Sequence, residues 1–325
     1  MRQVTHEKTF KRRTAGAPYM NKDTENIVTN DISSELSCPA CRYKTAHPAD
    51  SNLGAIRGNT ERFSNTQFRL WKCPQCQTII SIDPVDFHDI YSDYPLNKRK
   101  LDIFAQGTFG NLLSRLRRAG LQKTDTILDY GCGNGIFVDY MKQHGYLNIV
   151  GYDPYVPEFS PLPTSQTPFD CIINNDTLEH CDDIHGMLQE SLKLLKVGGL
   201  LYLGTADSEP VDMANLEPEI MRLHQPFHRV IITEQGLHNL VAEYKVDLLQ
   251  SYRRSYHDTL RPFSNYRFLD ELNKAVGHNL DRAMDPTEVN RVFIRKPRLW
   301  FFALFGYLFP SAFEPAVIVR KRPPL

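Results

Sequence analysis

The sequence lacks an excess of either charge and lacks any long apolar run. Its 325 residues include 38 Lys and Arg against 38 Asp and Glu, so the chain as a whole has no net charge to attract nucleic acid or an anionic membrane. No stretch reaches the roughly 18 apolar residues that a membrane-spanning helix needs, and the first residues lack the apolar segment of a secretory signal. These absences predict a cytoplasmic protein.

A disulfide framework is also not indicated. The seven cysteines are an odd number in a chain without an export signal. Four of them form two Cys-x-x-Cys pairs, Cys38 with Cys41 and Cys73 with Cys76. This spacing lets both thiolates of a tight turn face one tetrahedral ion, so residues 35–85 are predicted to form a zinc-binding module. A redox pair or four buried free thiols are the alternatives. Four sulfur ligands leave no open position for water, so the zinc is expected to be structural.

Composition divides the rest of the chain into a tail and a larger domain. Residues 1–34 are polar and rich in Lys, Arg, Asn and Thr, which predicts a flexible tail, with a basic docking arm as the alternative. Within residues 86–255, short apolar runs such as TILDY, NIVGYD and LLYLGT alternate with amphipathic stretches. This alternation predicts an α/β fold with a mostly parallel sheet covered on both faces. Ligands of such sheets bind beyond the carboxyl ends of the strands.

A glycine-rich turn follows the first of these runs, in TILDYGCGNGIFVDY. Gly131, Gly133 and Gly135 allow positive φ angles and a close approach of the backbone to a ligand, and the next helix presents free N–H groups there. The dinucleotide fingerprint G-x-G-x-x-G would need glycine where Ile136 stands, which makes NAD less favoured. Asp153 ends the second run, where a carboxylate can accept hydrogen bonds from both hydroxyls of a ribose. The pattern therefore predicts a nucleoside-bearing cofactor.

Taken together, these motifs resemble those of the class I S-adenosylmethionine-dependent methyltransferases. ILDYGCGNG resembles the first motif of that family, GYDP the second, FDCIINNDTLEHCDD the motif of the fourth strand and LLKVGGLLYLGT the fifth. The resemblance covers about residues 95–255 and the C-terminus. It implies a Rossmann-like sheet of the seven-stranded type and S-adenosylmethionine as the cofactor, with Asp129 orienting the amino group of the cofactor and Asp153 binding its ribose. The cofactor-binding residues that it implies are Asp129, Gly131, Cys132, Gly133, Gly135, Asp153, Asn175, Asp176 and Leu178.

The whole arrangement is similar to zinc-bearing methyltransferases that modify nucleotide-linked sugars and related intermediates. Two cysteine pairs, the segment with Tyr91, Tyr94 and Pro95, and the order of the parts carry this similarity. It implies a small-molecule acceptor such as a sugar nucleotide, a glycan or a secondary-metabolite intermediate. An RNA methyltransferase whose zinc ribbon binds nucleic acid is the alternative, and the neutral net charge makes a nucleic-acid partner unlikely. A binding protein that has lost catalysis is the third hypothesis. The sequence does not predict the oligomeric state.

Two departures from the family pattern are visible. Only 15 residues with five prolines separate Asp153 from Phe169, so the third strand is expected to be missing or vestigial, and Ser165 and Gln166 are candidates for the adenine contact. VDLLQSY and PAVIVRK are predicted to be the sixth and seventh strands. A cap insertion at residues 256–315 separates them, and residues 316–325 are predicted to form the last strand and a tail. Such an insertion is typical of a lid over the substrate.

An 11-residue apolar run, Leu299 to Phe309, lies inside the insertion next to several cationic residues. It is too short to cross a bilayer. A buried helix of the cap or a dimer contact is the simplest interpretation, and a peripheral membrane contact or an apolar wall of the substrate site are the alternatives.

Methyl transfer to a hydroxyl or a carbon acid requires a base, and histidine is the residue best suited to accept a proton near neutral pH. His180 ends the Leu-Glu-His motif, while His224 and His228 belong to RLHQPFHRVIITEQGL, after the fifth strand. A structural role for His180 and a role for Glu179 in holding either the cofactor or a neighbouring strand are the alternatives. Cys132, Cys171 and Cys181 are expected to act as small apolar groups.

Overall fold

A computed structural model describes residues 35–164, 168–309, 311 and 314–323. The predicted tail at residues 1–34 and the candidate adenine contacts Ser165 and Gln166 lie outside the described residues. In the part of the chain that is described, no helix has the length and apolar character needed to cross a membrane.

The described chain contains twelve strands and ten helices, besides short 3-10 turns. The strands are β1 Leu36–Ser37, β2 Lys44–Thr45, β3 Leu53–Arg57, β4 Gln67–Lys72, β5 Ile79–Ser81, β6 Ile127–Tyr130, β7 Ile149–Tyr152, β8 Phe169–Asn175, β9 Leu195–Gly204, β10 Val230–Ile231, β11 Val246–Tyr252 and β12 Ala316–Lys321. The helices are α1 Phe87–Tyr91, α2 Ile103–Ala119, α3 Ile136–Gln143, α4 Ile184–Leu194, α5 Ile220–Leu223, α6 Glu234–Ala242, α7 Tyr266–Ala275, α8 Leu280–Met284, α9 Pro286–Arg295 and α10 Pro297–Phe305.

A six-stranded sheet in the order β11-β12-β9-β8-β6-β7 forms the centre of the large domain. Strands β6 to β9 are parallel where they pair, and β12 is antiparallel to both β9 and β11. The predicted Rossmann-like, mostly parallel α/β sheet is confirmed, with six strands in the described chain. The predicted sixth and seventh strands are β11 and β12. At the outer edge, the pairing of β11 shifts between Leu248 and Gln250.

The sheet is buried on both faces, as the apolar runs of the sequence indicate. All four residues of β6 are buried, and the helices on the two faces contribute Leu112 and Leu116 of α2 to one core cluster and Leu188 of α4 to the other. Helix α2 begins where the carboxylate of Asp102 accepts hydrogen bonds from two backbone N–H groups, and it ends at a glycine in the left-handed conformation. These helices hold the carboxyl ends of β6 and β8 in fixed positions.

No strand lies between β7 and β8 in the described part of the segment that joins them. Prolines cannot donate to a sheet, so this segment forms turns instead. Its anchor is Phe159, which accepts a hydrogen bond from Asp153 N through its backbone oxygen and whose ring lies against Gly135 and Gly151. An aromatic side chain therefore packs on the face of the sheet at the end of β7, next to the glycine-rich turn.

The sheet of the cysteine module includes one strand from the large domain. Its sheet has the order β10-β5-β4-β3, and β10 comes from the large domain, 149 residues after β5. Arg229, directly before β10, donates to Ser81 and to Asp83 O on the module side and to Asp182 on the other. The module and the loop that precedes β10 are thus one folded unit.

The segment predicted to form a cap, residues 256–315, contains helices α7 to α10, and we call it the cap. Phe268, Leu299 and Ala303 form its small core. Ser264 Oγ lies 3.2 Å from Thr108 Oγ1 and attaches the cap to α2. The apolar run from Leu299 to Phe309 is only partly buried: its helix packs with one side, while most of its large side chains are exposed.

Candidate active site

A cavity of about 680 Å³ opens at the carboxyl ends of β6, β7 and β8. This volume lies within the range of about 300–1,000 Å³ that is usual for small-ligand sites. Its walls include the glycine-rich turn, both predicted aspartates and residues of the segment before α2. The predicted site residues that line it are Asp129, Gly131, Cys132, Gly133, Asp153, Asn175, Asp176 and His180.

The glycine-rich turn adopts backbone conformations that other residues avoid. Gly131, Gly133 and Gly135 have φ angles of 81°, 53° and 78°. Gly131 also has no room for a side chain, because a Cβ atom there would lie 2.4 Å from Thr177 Oγ1. The N–H groups of Gly131 and Cys132 both donate to Tyr152 O at the end of β7. The turn is therefore fixed between two strands with its backbone facing the cavity.

Two carboxylates flank this turn. Asp153 Oδ2 accepts from Gly133 N at 3.0 Å, and Oδ1 accepts from Tyr155 N at 2.9 Å, while burial raises the pKa of Asp153. Asp129 is 5% exposed, and burial followed by the charge of Asp153 raises its pKa to about 7. A cation placed in the cavity would lower both pKa values.

The cavity is lined by more acidic than basic groups. Arg99 is the single Lys or Arg among its described lining residues. Against it stand six carboxyl groups, those of Asp129, Asp153, Asp176, Asp182, Asp183 and Glu190. Because unlike charges attract most strongly where water is excluded, this lining favours a cationic ligand and disfavours a polyanion.

The end of β8 places its predicted residues in different surroundings. Asp176 has a φ of 52°, accepts a hydrogen bond from Tyr256 OH at 2.6 Å and has a pKa raised to about 6, mainly by burial. Asn175 donates to Asp176 Oδ2. Leu178 does not line the cavity: the 3-10 turn at residues 178–180 directs it into the core, where it is 1% exposed. Glu179 accepts from Thr205 Oγ1 and Ala206 N, so it binds the neighbouring strand end.

The three candidate histidines lie side by side, but only His180 lines the cavity. The ring centroid of His228 is 4.8 Å from that of His180 and 5.0 Å from that of His224. Burial lowers the pKa of His180 and of His224 well below the usual range and that of His228 to about 4. All three rings are thus neutral near pH 7.

Hydrogen bonds determine what each ring can do. His228 Nδ1 donates to Arg222 O at 2.7 Å, and His224 Nδ1 donates to Asn59 Oδ1 at 2.7 Å, which leaves each Nε2 as an acceptor. The acceptor of His224 is already used, because Tyr94 OH lies 3.0 Å from it. His180 Nδ1 lies 2.6 Å from Tyr91 OH. A hydrogen bond with the backbone of Phe227 also acts on the His180 ring. Among the three histidines, His180 lines the cavity, and His224 and His228 do not.

The four paired cysteines converge at one point outside this cavity. Cys38 Sγ lies 3.5 Å from Cys76 Sγ, and Cys41 Sγ lies 3.6 Å from Cys73 Sγ. These distances are too long for disulfides, at about 2.05 Å, and agree with the roughly 3.8 Å between sulfurs around a tetrahedral zinc with 2.3 Å bonds. All four sulfurs lie within 4.8 Å of one another. The donor set fits a zinc ion.

Comparison with known proteins identifies the family. A family model described as a methyltransferase domain matches residues 103–281, more than half of the chain. The chain belongs to this methyltransferase domain family. The match confirms the methyltransferase domain that the motifs predict, and it includes the glycine-rich turn and both carboxylates.

Curated relatives of the methyltransferase domain are distant. The ubiquinone biosynthesis O-methyltransferase of Caulobacter vibrioides is 29% identical over 119 residues, which cover 29% of this chain and 47% of that protein. The protein of the same name from Pelagibacter ubique is 28% identical over 103 residues, which cover 26% of this chain and 42% of that protein. This chain thus spans less than half the length of these relatives.

Solved structures of methyltransferases are similar to this chain at low identity. Phosphoethanolamine N-methyltransferase 2 of Haemonchus contortus, solved with phosphomonomethylethanolamine and S-adenosylhomocysteine, is 13% identical, with 85% of this chain and 71% of that chain covered and a TM-score of 0.45. A SAM-dependent methyltransferase from Archaeoglobus fulgidus is 17% identical, with 73% and 100% covered and a TM-score of 0.36.

The sequence motifs do not identify several residues that form or support the walls of the cavity. Tyr256 reaches the cavity from the cap, and Asn134 donates to the backbone oxygens of Asn97 and Arg99, which holds the segment before α2 beside the glycine-rich turn. Tyr155 stacks on Tyr91 with a centroid distance of 4.6 Å. The sequence marks the Tyr-x-x-Tyr-Pro segment, but only the fold shows that it forms a wall of the cavity.

Proposed function

We propose that this protein is an S-adenosylmethionine-dependent methyltransferase that acts on a small-molecule acceptor. The observation that carries the proposal is the acidic cavity around the glycine-rich turn, with Asp153 at its rim. The cofactor carries a sulfonium and an ammonium group, and six carboxyl groups against one arginine complement both. We assign its ribose to Asp153 and its amino group to Asp129, and the cofactor, when bound, supplies an electrophilic methyl group.

The residues of the chain then have to position the acceptor and remove its proton. We assign proton removal to His180, which is neutral near pH 7 and lines the cavity. His228 and His224 are positioning residues, because they pack behind His180 and do not line the cavity. Tyr91 holds Nδ1 of His180. For this, Nδ1 would carry the ring proton and donate to Tyr91 OH, which leaves Nε2 as the acceptor. A hydroxyl acceptor would then give its proton to His180 Nε2 as its oxygen bonds to the methyl carbon and the bond between that carbon and the sulfur breaks.

The residues that line the cavity also favour some classes of acceptor over others. Phe87, Tyr91 and Tyr155 form a stacked aromatic wall, which favours a flat or aromatic group. Distant relatives named ubiquinone biosynthesis O-methyltransferases support a hydroxylated small acceptor. The diphosphate of a sugar nucleotide would have to remain near Arg99 at the cavity or outside it. RNA methylation is less favoured, because an acidic cavity repels phosphates.

We also propose that Cys38, Cys41, Cys73 and Cys76 hold a structural zinc ion. The two turns that carry the pairs are alike, since the residue after the second cysteine of each pair, Arg42 or Gln77, has a φ near 60° and donates its N–H to the oxygen of the first cysteine. Zinc would hold β5 in place to pair with β10, and through Arg229 it would fix the loop of the histidines.

The test measures methyl transfer from radiolabelled cofactor to a panel of phenols, glycosides, nucleoside-diphosphate sugars and bulk RNA. We expect transfer to a small hydroxylated compound and none to RNA. His180→Asn should lower turnover by about 10² to 10⁴ with little change in affinity for S-adenosylhomocysteine. His228→Ala should lower turnover less while also changing its pH profile. His238→Asn, at a half-buried position of α6 that does not line the cavity, is the matched control. Full turnover in His180→Asn would exclude the assigned base, and failure to bind S-adenosylhomocysteine would exclude the proposed function.

A further inference from the structure

The cap carries an exposed apolar face that the cavity does not use. Helix α10 buries Leu299 and Ala303 against the rest of the cap. On its other side and in the 3-10 turn that follows it, large apolar side chains recur at spacings of one, three and four residues and are between 37% and 73% exposed: Trp300, Phe301, Leu304, Phe305, Leu308 and Phe309. We call these six residues the α10 face.

The α10 face is continuous. The ring of Phe301 lies 5.5 Å from that of Phe305 and 6.1 Å from that of Phe309, measured between centroids. Six side chains of this size, each about half exposed, present on the order of 500 Å² of apolar surface. That equals the largest apolar patches of typical soluble monomers and is smaller than the roughly 800 Å² per partner that a standard protein interface buries.

A basic rim borders the α10 face at the start of the helix. Between Val289 and Phe309 the sequence has four cationic side chains and no acidic one. Arg291 is paired with Glu288 and Arg298 with Glu271. Arg295 and Lys296 are exposed and form no ion pair with any described residue. These two charges are therefore available to an anionic partner.

Polar groups of α10 and of the turn after it form hydrogen bonds within the protein. Trp300 Nε1 donates to Phe293 O at 3.1 Å. Arg254 Nη2 donates to Tyr307 O and Phe309 O, which are carbonyls of the turn that follows α10. Pro297 at the first helical position removes one free N–H. Few polar groups would need water if the α10 face entered an apolar medium.

We propose that the α10 face docks on the surface of an anionic phospholipid bilayer, with its aromatic and leucine side chains below the headgroups and Arg295 and Lys296 among the phosphates. A short helix with one apolar side, a tryptophan and unpaired cations beside it has the composition of an interfacial helix. The ring of Phe263 touches both Trp300 and Phe104, so the docked face is joined to α2, whose Phe109 and Leu112 line the cavity.

The two tryptophans make the test direct. Trp71 is 0% exposed, so a change of fluorescence on adding vesicles reports on Trp300. The full chain is mixed with vesicles of phosphatidylcholine alone or of equal parts phosphatidylcholine and phosphatidylglycerol. We expect a blue shift of emission and co-sedimentation with the anionic vesicles, weakened by salt, and at least about ten-fold weaker binding to the neutral ones.

Matched variants distinguish vesicle binding through the α10 face from nonspecific effects of charge or hydrophobicity. Phe301→Ser/Leu304→Ser and Arg295→Glu/Lys296→Glu should each weaken vesicle binding at least about ten-fold. Leu147→Ser/Val197→Ser and Lys142→Glu/Lys193→Glu change exposed residues elsewhere and should leave it unchanged. Thermal melting checks the folding of each variant.

Three outcomes would overturn the proposal. The first is no association with either kind of vesicle. The second is equal binding by the variants and their controls, which would show unspecific adhesion. The third is a dimer in sedimentation velocity that Phe301→Ser/Leu304→Ser dissociates while vesicles bind to none of the proteins, which would assign the α10 face to a second copy of the chain.

Discussion

Replacing Gly131 by alanine tests whether the glycine-rich turn is needed for its geometry. At a φ of 81° an alanine costs about 1–2 kcal/mol relative to its preferred conformations. Its Cβ would also lie 2.4 Å from Thr177 Oγ1 and 2.5 Å from Thr177 Cγ2, and overpacking of this kind costs about 1–3 kcal/mol. We therefore expect Gly131→Ala to lower the free energy of unfolding by about 2–5 kcal/mol.

Gly198 provides the matched control. Its φ is 80°, but a Cβ there would meet nothing within 4 Å. Gly198→Ala should thus cost only the conformational part, about 1–2 kcal/mol. The difference between the two variants measures the contact with Thr177. In a Gly131→Ala/Thr177→Ala double variant, removal of the threonine side chain should recover much of that difference, less about 1 kcal/mol for its hydrogen bond to Tyr130 O.

Two assays report on this prediction. Urea denaturation gives the stabilities, and calorimetry with S-adenosylhomocysteine gives the affinity, which should fall at least about ten-fold in Gly131→Ala, because displacement of the turn moves Gly133 N away from Asp153. If Gly131→Ala were as stable as Gly198→Ala and bound the ligand with wild-type affinity, the close packing of the turn against Thr177 would not be required for stability or binding.

Three further predictions concern the cofactor side and the cysteines. Asp153→Asn should weaken binding of S-adenosylhomocysteine about 10- to 100-fold in calorimetry, since a charged hydrogen-bond acceptor contributes about 1.5–3 kcal/mol, and an unchanged affinity would exclude the assigned ribose contact. Because the pKa of Asp129 is raised to about 7, a bound ammonium group should lower it and release a fraction of a proton near pH 7. The binding heat should then depend on the ionisation enthalpy of the buffer, affinity should fall as the pH falls below 7, and Asp129→Asn should remove both effects. Withdrawal of metal by a chelator should lower the melting temperature and turnover together, and added zinc should restore both; a chelator without effect on stability would exclude structural zinc.

The parts of the fold that sequence alone predicts are those with local signals. Apolar runs locate the strands β6 to β9, and glycine spacing locates the turn because its backbone angles are a property of a few adjacent residues. The same holds for the cysteine pairs, whose two-residue spacing is a local requirement of a metal turn.

Contacts between distant segments have no such signal. Strand β10 has two residues, too few for a periodicity, and only its pairing with β5 reveals it. The motif groups Leu178 with the cofactor, yet a single 3-10 turn sends its side chain into the core. Likewise, spacing indicates that three histidines lie after sheet strands, but which of them reaches the cavity depends on packing across 48 residues of chain, from His180 to His228.

The replacement of a third strand by a proline-containing segment capped by Phe159 makes the two borders of the central sheet unequal. At the β7 border, the four strand residues are buried or half-buried, and the prolines of the segment that follows cannot donate N–H groups to an added strand. The β11 border keeps exposed Leu248 and Leu249 and is interrupted only by its shifted pairing. Oligomers or aggregates built by strand addition should therefore extend from β11 and leave the catalytic side of the molecule open.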